Sequence, residues 1–190
     1  MRPIISSLFC LILIAPGGGL KAAKPPNALD RGTAIALDAK DSPGTLLTNA
    51  IAEKGPAGAV GFCNERAIPM TADKMKEHGV EIKRATDRPR NPKNLASAEE
   101  MKQIRAFKSA FARGEKVRPV VIEFEGYTHF YAPIVTNGMC LQCHGVLNQT
   151  VSSETQKAIL RKYPDDKAVG YESDQLRGIW SIRWPTNRIH

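Results

Sequence analysis

Cysteine and histidine are both scarce in this chain, with four of each in 190 residues. So few cysteines exclude a disulfide-stapled scaffold, and the length allows a hydrophobic core without one. Only one C-x-x-C pair occurs, so a zinc centre built from two such pairs is excluded. Past the first residues no apolar run is long enough to span a bilayer. There is no internal repeat and no low-complexity tract, which removes solenoids and arrays. Aromatic residues make up 6% and are not interleaved with basic ones in the manner of RNA-binding sheets. What remains is 42% hydrophobic and 24% charged, the balance of a soluble globular domain.

The N-terminus has the pattern of a secretory signal. Arg2 supplies a positive start, residues 4–15 are largely apolar, and Pro16 with Gly17, Gly18 and Gly19 breaks the run before the small pair Ala22 and Ala23. A signal peptide over 1–23 is expected, cleaved to leave a soluble, periplasmic protein; the alternative is an uncleaved anchor. The net charge of +8 lies partly in this leader, at Arg2 and Lys21. The modest basic excess suits an anionic ligand or an acidic partner, and export argues against nucleic acid. Cys10 leaves with the leader. Cys63, Cys140 and Cys143 remain, an odd number for an oxidising compartment.

Residues 24–43, rich in Pro, Ala and Asp, read as a flexible lead-in to a single domain over 44–190. Leu46, Leu47, Ala50 and Ile51 have helical spacing, and Gly55, Pro56 and Gly58 interrupt it. A second helix over 57–68 follows, with Ala59, Val60, Cys63 and Ala67 on one apolar stripe. Pro69 disturbs it, and Thr71 opens a continuation ending at Gly79. A strand is expected over 80–86 and a loop over 87–95. Ser97 and Glu100 form a capping box ahead of Met101, Ile104, Phe107, Lys108 and Phe111. Two β-rich runs, 117–124 and 127–135, read as a hairpin turning at Glu125 and Gly126. Asn137 and Gly138 turn the chain into the cysteine motif. Ser153 with Gln156 opens a short helix that Tyr163 and Pro164 close. A last strand over 179–184 puts Trp180, Ile182 and Trp184 on one side. Helices followed by a mostly antiparallel sheet make an α+β domain.

The motif Cys140-Leu141-Gln142-Cys143-His144 is the signature of covalent haem attachment. Two thiols three residues apart lie on one side of a turn, where each can add to one vinyl group of the same haem. The next residue then presents an imidazole to the iron. At this chain's own Cys and His frequencies about 0.002 such motifs arise by chance. A Cys140–Cys143 redox disulfide lacks the thioredoxin-like βαβ setting. A second axial ligand can come from Met70, Met75, Met101, Met139, His78, His129, His190 or Cys63. Cys63 stands out because it is the leftover thiol.

These features together resemble the PAS-like, c-type haem-binding domain found alone in exported proteins and fused to bacterial sensor kinases. The likeness rests on Cys63 and Ala67, on Lys83-Arg84-Ala85-Thr86 with Arg90-Asn91-Pro92 and Asn94, and on Tyr131-Ala132-Pro133-Ile134 leading to the motif and Gly145. Tyr163-Pro164-Asp165, Ala168-Val169-Gly170-Tyr171 and Arg177-Gly178 complete it. The resemblance implies a PAS-like antiparallel sheet flanked by helices, one covalent haem c, and His144 and Cys63 as axial ligands. Arg84 and Arg90 are candidates to bind the haem propionates, while Lys83, Arg88 and Lys93 are assigned to solvent. The expected function is redox or diatomic-gas sensing, with a separate redox or signalling partner. The alternative is periplasmic electron transfer. No acid–base constellation for a peroxidase is legible, so no enzymatic activity is expected.

Overall fold

The computed structural model describes residues 27–186, without the side chains of Ser42, Cys63, Asn64 and Ala67. Its elements are helix α1 (Ala28–His78), strand β1 (Glu81–Ala85), helix α2 (Ala98–Ala112), strands β2 (Val120–Phe124) and β3 (Tyr127–Val135), helices α3 (Gly138–His144) and α4 (Ser153–Lys162), and strand β4 (Leu176–Pro185). The four strands form one antiparallel sheet in the order β1-β4-β3-β2. This is the α+β sheet flanked by helices that the sequence implies.

Helix α1 differs most from expectation. The segment 24–43, read as a flexible lead-in, is helical from Ala28 onward, capped by Asn27 accepting from the Asp30 amide at 2.9 Å. Burial explains the difference: Ile35, Ala36 and Ala39 form a helical stripe packed on Phe130, Trp180, Ile182 and Trp184. The close approach needs a glycine at position 32, where a Cβ would overlap the Phe130 ring.

The expected break at Gly55 is present, with φ 67° and ψ 172°. Asp38 bonds His78 at 2.7 Å and Lys74 at 2.9 Å. At about 1.5 Å per residue, Asp38 and His78 lie roughly 25 and 35 Å along the helix from Gly55. They meet only because α1 is a helical hairpin whose two arms run antiparallel. Pro69 does not end the second arm, which runs to a left-handed Gly79 (φ 61°). Asp38, Glu77 and His78 cluster, but the Lys74 ammonium bonds both carboxylates and already supplies their cation.

The other elements follow local chemistry. The Ser97–Glu100 capping box is formed, with both reciprocal bonds made (3.2 and 2.8 Å). The β2–β3 hairpin turns on Glu125 (φ 52°) and Gly126 (φ 79°), the left-handed pair of a tight hairpin. Strand β2 starts at Val120 because Pro119 has no amide to give the ladder. Helix α4 is capped by Ser152, one residue earlier than expected.

The sheet is buried on both faces. The first arm of α1 covers the Trp180–Ile182–Trp184 face. Helix α2 covers the other, where Ile104 and Phe107 meet Ala85, Tyr131 and Ile179. A third cluster joins Val60 on the second arm of α1 to Val151, Ala158 and Ile159 around α4. The segment after α4 then runs back past α3 to reach β4.

Candidate functional site

Helix α3 carries the motif. Asn137 caps it by accepting from the Cys140 amide at 3.2 Å, and the Cys140 thiol donates to the same oxygen at 3.2 Å. Cys140 and Cys143 are half-buried and neither forms a disulfide. His144 ends the helix. Its Nδ1 lies 2.7 Å from the carbonyl oxygen of Ala168. A carbonyl only accepts, so Nδ1 carries the proton and Nε2 keeps its lone pair. The imidazole is held neutral, with a pKa well below the ordinary histidine value. Burial is the main cause, followed by the charges of Arg90 and Arg177; the Ala168 bond acts in the opposite sense. A neutral imidazole fixed by its far nitrogen is the form in which histidine binds metals.

The Ala168 carbonyl is itself held. Arg90 bonds Asp166 with Nε and Nη2, at 3.2 and 3.1 Å, and its Nη2 also donates to the Cys143 carbonyl at 2.6 Å. Asp166 in turn accepts from the Ala168 amide at 2.9 Å. Arg88 donates to the carbonyls of Lys167 and Val169, on either side of Ala168. Two backbone bonds continue the seam: Gly170 donates to the Gly145 carbonyl at 2.7 Å and Tyr171 to that of His144 at 3.0 Å. The segment 166–171 is therefore stitched along the end of α3, and the imidazole has one orientation. Gly145 leaves no room for a side chain at the end of α3, since a Cβ there would overlap the Thr150 hydroxyl and lie 2.6 Å from the Leu141 carbonyl oxygen.

Arg84 lies in β1 opposite Trp180, with its guanidinium 6.0 Å from the indole centroid. Its charge reaches His144. Arg177, in β4, donates through Nη1 to the Thr86 hydroxyl at 3.0 Å. The Thr86 hydroxyl donates to the Arg177 carbonyl at 2.9 Å. The Tyr171 ring stands between Arg88 and Arg177, at 4.6 and 5.3 Å.

Of the residues singled out from sequence, Cys140, Cys143, His144 and Arg90 are in direct contact or on one helix, with Arg84 close enough to act electrostatically. Cys63 lies on the second arm of α1, one turn beyond the buried Val60; its side chain is outside the described residues. Five of the other candidates for the second axial position, all but Met70 and His190, are engaged elsewhere. His78 bonds Asp38. His129 stacks with Tyr131 and pairs across the sheet with Arg183, at the Glu81 end, away from the motif. Met75 and Met101 pack on the two core clusters, and the Met139 sulfur accepts from Thr48 at 3.4 Å. His190 is outside the described residues.

Two cations assigned to solvent are engaged instead. Lys83 bonds the buried Glu100 at 2.8 Å, and Arg88 braces the segment 166–171. Asp166 and Arg177 escaped the sequence reading as individual residues. Their signal was the spacing of Tyr163-Pro164-Asp165 and Arg177-Gly178 after the motif, which marks positions but not bonds. The donor set of two thiols within one turn and an imidazole with a bare Nε2, set among four guanidiniums, fits a group that takes two thioethers, one axial nitrogen and anionic side chains.

No match was found among curated proteins. Among solved structures, that of the cyanobacterial haem-protein Tll0287 is similar, with a TM-score of 0.66 at 17% identity, covering 86% of this chain and 98% of that one. At that identity the likeness concerns the fold. The family model described as Tll0287-like matches residues 24–185, which include the helical segment read from sequence as a lead-in. The chain belongs to the Tll0287-like family.

Proposed function

We propose that the chain is an exported monohaem c-type protein that senses redox state or a small diatomic gas. The observation that carries the reading is His144: a neutral imidazole, Nε2 unprotonated, directly after the second of two thiols spaced for thioether attachment. Family membership and the haem-protein neighbour support it. Cys140 and Cys143 would hold the haem through thioethers and His144 Nε2 would ligate its iron, while Arg90 with Asp166 keeps the imidazole oriented. Bound haem supplies one-electron chemistry at iron and a coordination position when an axial ligand leaves. Cys63 would supply the second protein ligand to the iron and would be the one released on reduction. A separate redox or signalling protein receives the output.

Signal cleavage within residues 1–23 delivers the protein to the periplasm. Among the described residues no helix is long and apolar enough to cross a membrane. Electron transfer is the second reading. The half-exposure of Cys140 and Cys143 favours it, because it brings the thioether edge of the haem near solvent.

The deciding experiment is expression with a c-type maturation system, followed by absorption and EPR spectroscopy of wild type and Cys63→Ala. Covalent haem and a thiolate-type ferric signal lost in the variant are expected, with carbon monoxide or nitric oxide bound after reduction. Identical ferric spectra would remove Cys63 from the iron. Retention of both ligands on reduction, with no gas uptake, would turn the reading to electron transfer. Turnover of hydrogen peroxide would contradict a non-enzymatic role.

A further inference from the structure

Helix α2 covers only part of its face of the sheet, where Ile104 and Phe107 lie over Ala85, Tyr131 and Ile179. Toward the other end of the strands the same face is open. There Tyr127, His129 and Tyr131, alternate residues of β3, pair with Phe124, Ile122 and Val120 of β2. Two adjoining hollows share Phe124, His129, Tyr131 and Glu99, and the larger encloses about 440 Å³. That lies within the range of small-molecule sites, roughly 300–1000 Å³. The cysteine motif follows the Val135 end of β3, so the length of that strand, roughly 26 Å, separates the groove from α3.

Rings and carboxylates dominate the lining. His129 has the rings of Phe124, Tyr127 and Tyr131 around it, with centroids at 6.3, 6.4 and 6.1 Å. Phe124 is 50% exposed and its cross-strand partner Tyr127 37%, so two large rings face water together. The three lining cations are each bonded to a lining carboxylate: Lys83 to Glu100, Lys102 to Glu99 and Arg183 to Glu81. Glu123 and Glu125, which flank Phe124 in the chain, have no ion-pair partner among the described residues. Five carboxylates thus stand against three cations, in a chain whose net charge is +8. The Arg183 guanidinium lies 5.0 Å from the Tyr127 centroid, so a ring face here already draws a cation.

Ring faces beside unneutralised carboxylates attract an organic cation, because the rings stabilise its charge and cover its carbon. A bare metal ion is not matched. Rings donate no lone pair, and among the described residues ligand atoms converge only at Asp38, Glu77 and His78 in α1. We propose that this groove binds an organic ammonium ion, its charge set against the rings of Phe124, Tyr127 and His129 and the carboxylates of Glu123 and Glu125. The site goes beyond the haem reading and does not depend on it.

The test is isothermal titration calorimetry of the matured protein with choline and with phenethylammonium. Choline has no nitrogen lone pair to give an iron, so its binding is not ligation of haem. Choline should bind about tenfold more tightly than its neutral isostere 3,3-dimethylbutanol, and the haem absorption should not move. F124A should weaken choline binding about two- to fivefold, the size of one exposed cation–ring contact. E123Q/E125Q should weaken it about fivefold at low salt and less at high salt, where the charges are screened. All three altered side chains are exposed, so these variants keep the fold. No heat from either ammonium ion overturns the proposal. Equal affinity for choline and its isostere reduces the groove to an apolar patch and overturns it as well. Binding unchanged in both variants places the cation elsewhere, with the same consequence. Self-association lost in F124A, without ammonium binding, means that a second copy covers this face, and the proposal fails. Maturation without haem would refute the haem reading and leave this measurement intact.

Discussion

Replacing Arg90 with methionine tests the architecture around His144 most directly. The substitution keeps most of the side-chain volume and removes the charge. Asp166 is 3% exposed at its side chain and Arg90 12%, so the pair is buried. Removing one member leaves the Asp166 carboxylate without its cation and the Cys143 carbonyl without its donor. Breaking a buried pair in this way costs about 3–5 kcal/mol. Against a total stability of roughly 5–15 kcal/mol, that is a third or more for a domain in the middle of the range. The assay is urea unfolding of the haem-free protein, comparing R90M, D166N and the double variant. R90M should lose several kcal/mol. The double variant should recover part of the loss, because it leaves no unpaired charge. Nitrogen-15 spectra of His144 should show the Nδ1 proton fixed in wild type and exchanging between tautomers in R90M. A loss below about 1 kcal/mol would mean that the pair behaves as a solvated surface contact, and the account of His144 orientation would fall with it.

The low pKa of His144 has a definite sign. The unfolded chain takes up a proton near the ordinary value of 6.5 and the folded chain does not, so haem-free stability should be full above that pH and decline as pH falls below it. H144Q should flatten this dependence in urea unfolding followed across pH 5–8. Tyr131, pushed up to about 12 mainly by burial, should stay largely protonated in an ultraviolet titration up to pH 11, so that Y131F loses little of the signal. Gly32→Ala should destabilise by about 1–3 kcal/mol through overpacking against Phe130, read as a lowered thermal midpoint. Ile104→Ala, at a residue 1% exposed, should cost about 2–5 kcal/mol.

The elements most legible in the sequence were those with a local chemical cause. The Ser97 capping box, the Glu125-Gly126 turn and the alternation of Trp180, Ile182 and Trp184 each depend on neighbours within a few residues. Position 55 was legible as a break for the same reason. The helix over 28–43 was not, because its stripe of Ile35, Ala36 and Ala39 has value only against Phe130 and Trp184, far along the chain. At the site, the thiols and His144 were readable from five adjacent residues. The partners of His144 were not, since the Ala168 carbonyl has no side-chain signature and Arg90 meets Asp166 across 76 positions. Arg90 itself was noticed for its charge. Whether that charge faces a ligand or a carboxylate of the same chain is decided by tertiary contact.

The bond from His144 to Ala168 ends on a backbone oxygen. Every residue that can stand at position 168 brings the same carbonyl, so the direct partner of the imidazole is immune to point mutation. Vulnerability is displaced to Arg88, Arg90 and Asp166, which hold that oxygen in place from outside. In a survey of tolerated substitutions, position 168 should therefore accept side chains that fit its buried space, while its bracing residues tolerate little. A residue-by-residue map of sensitivity would outline the frame around the imidazole and leave its nearest neighbour blank.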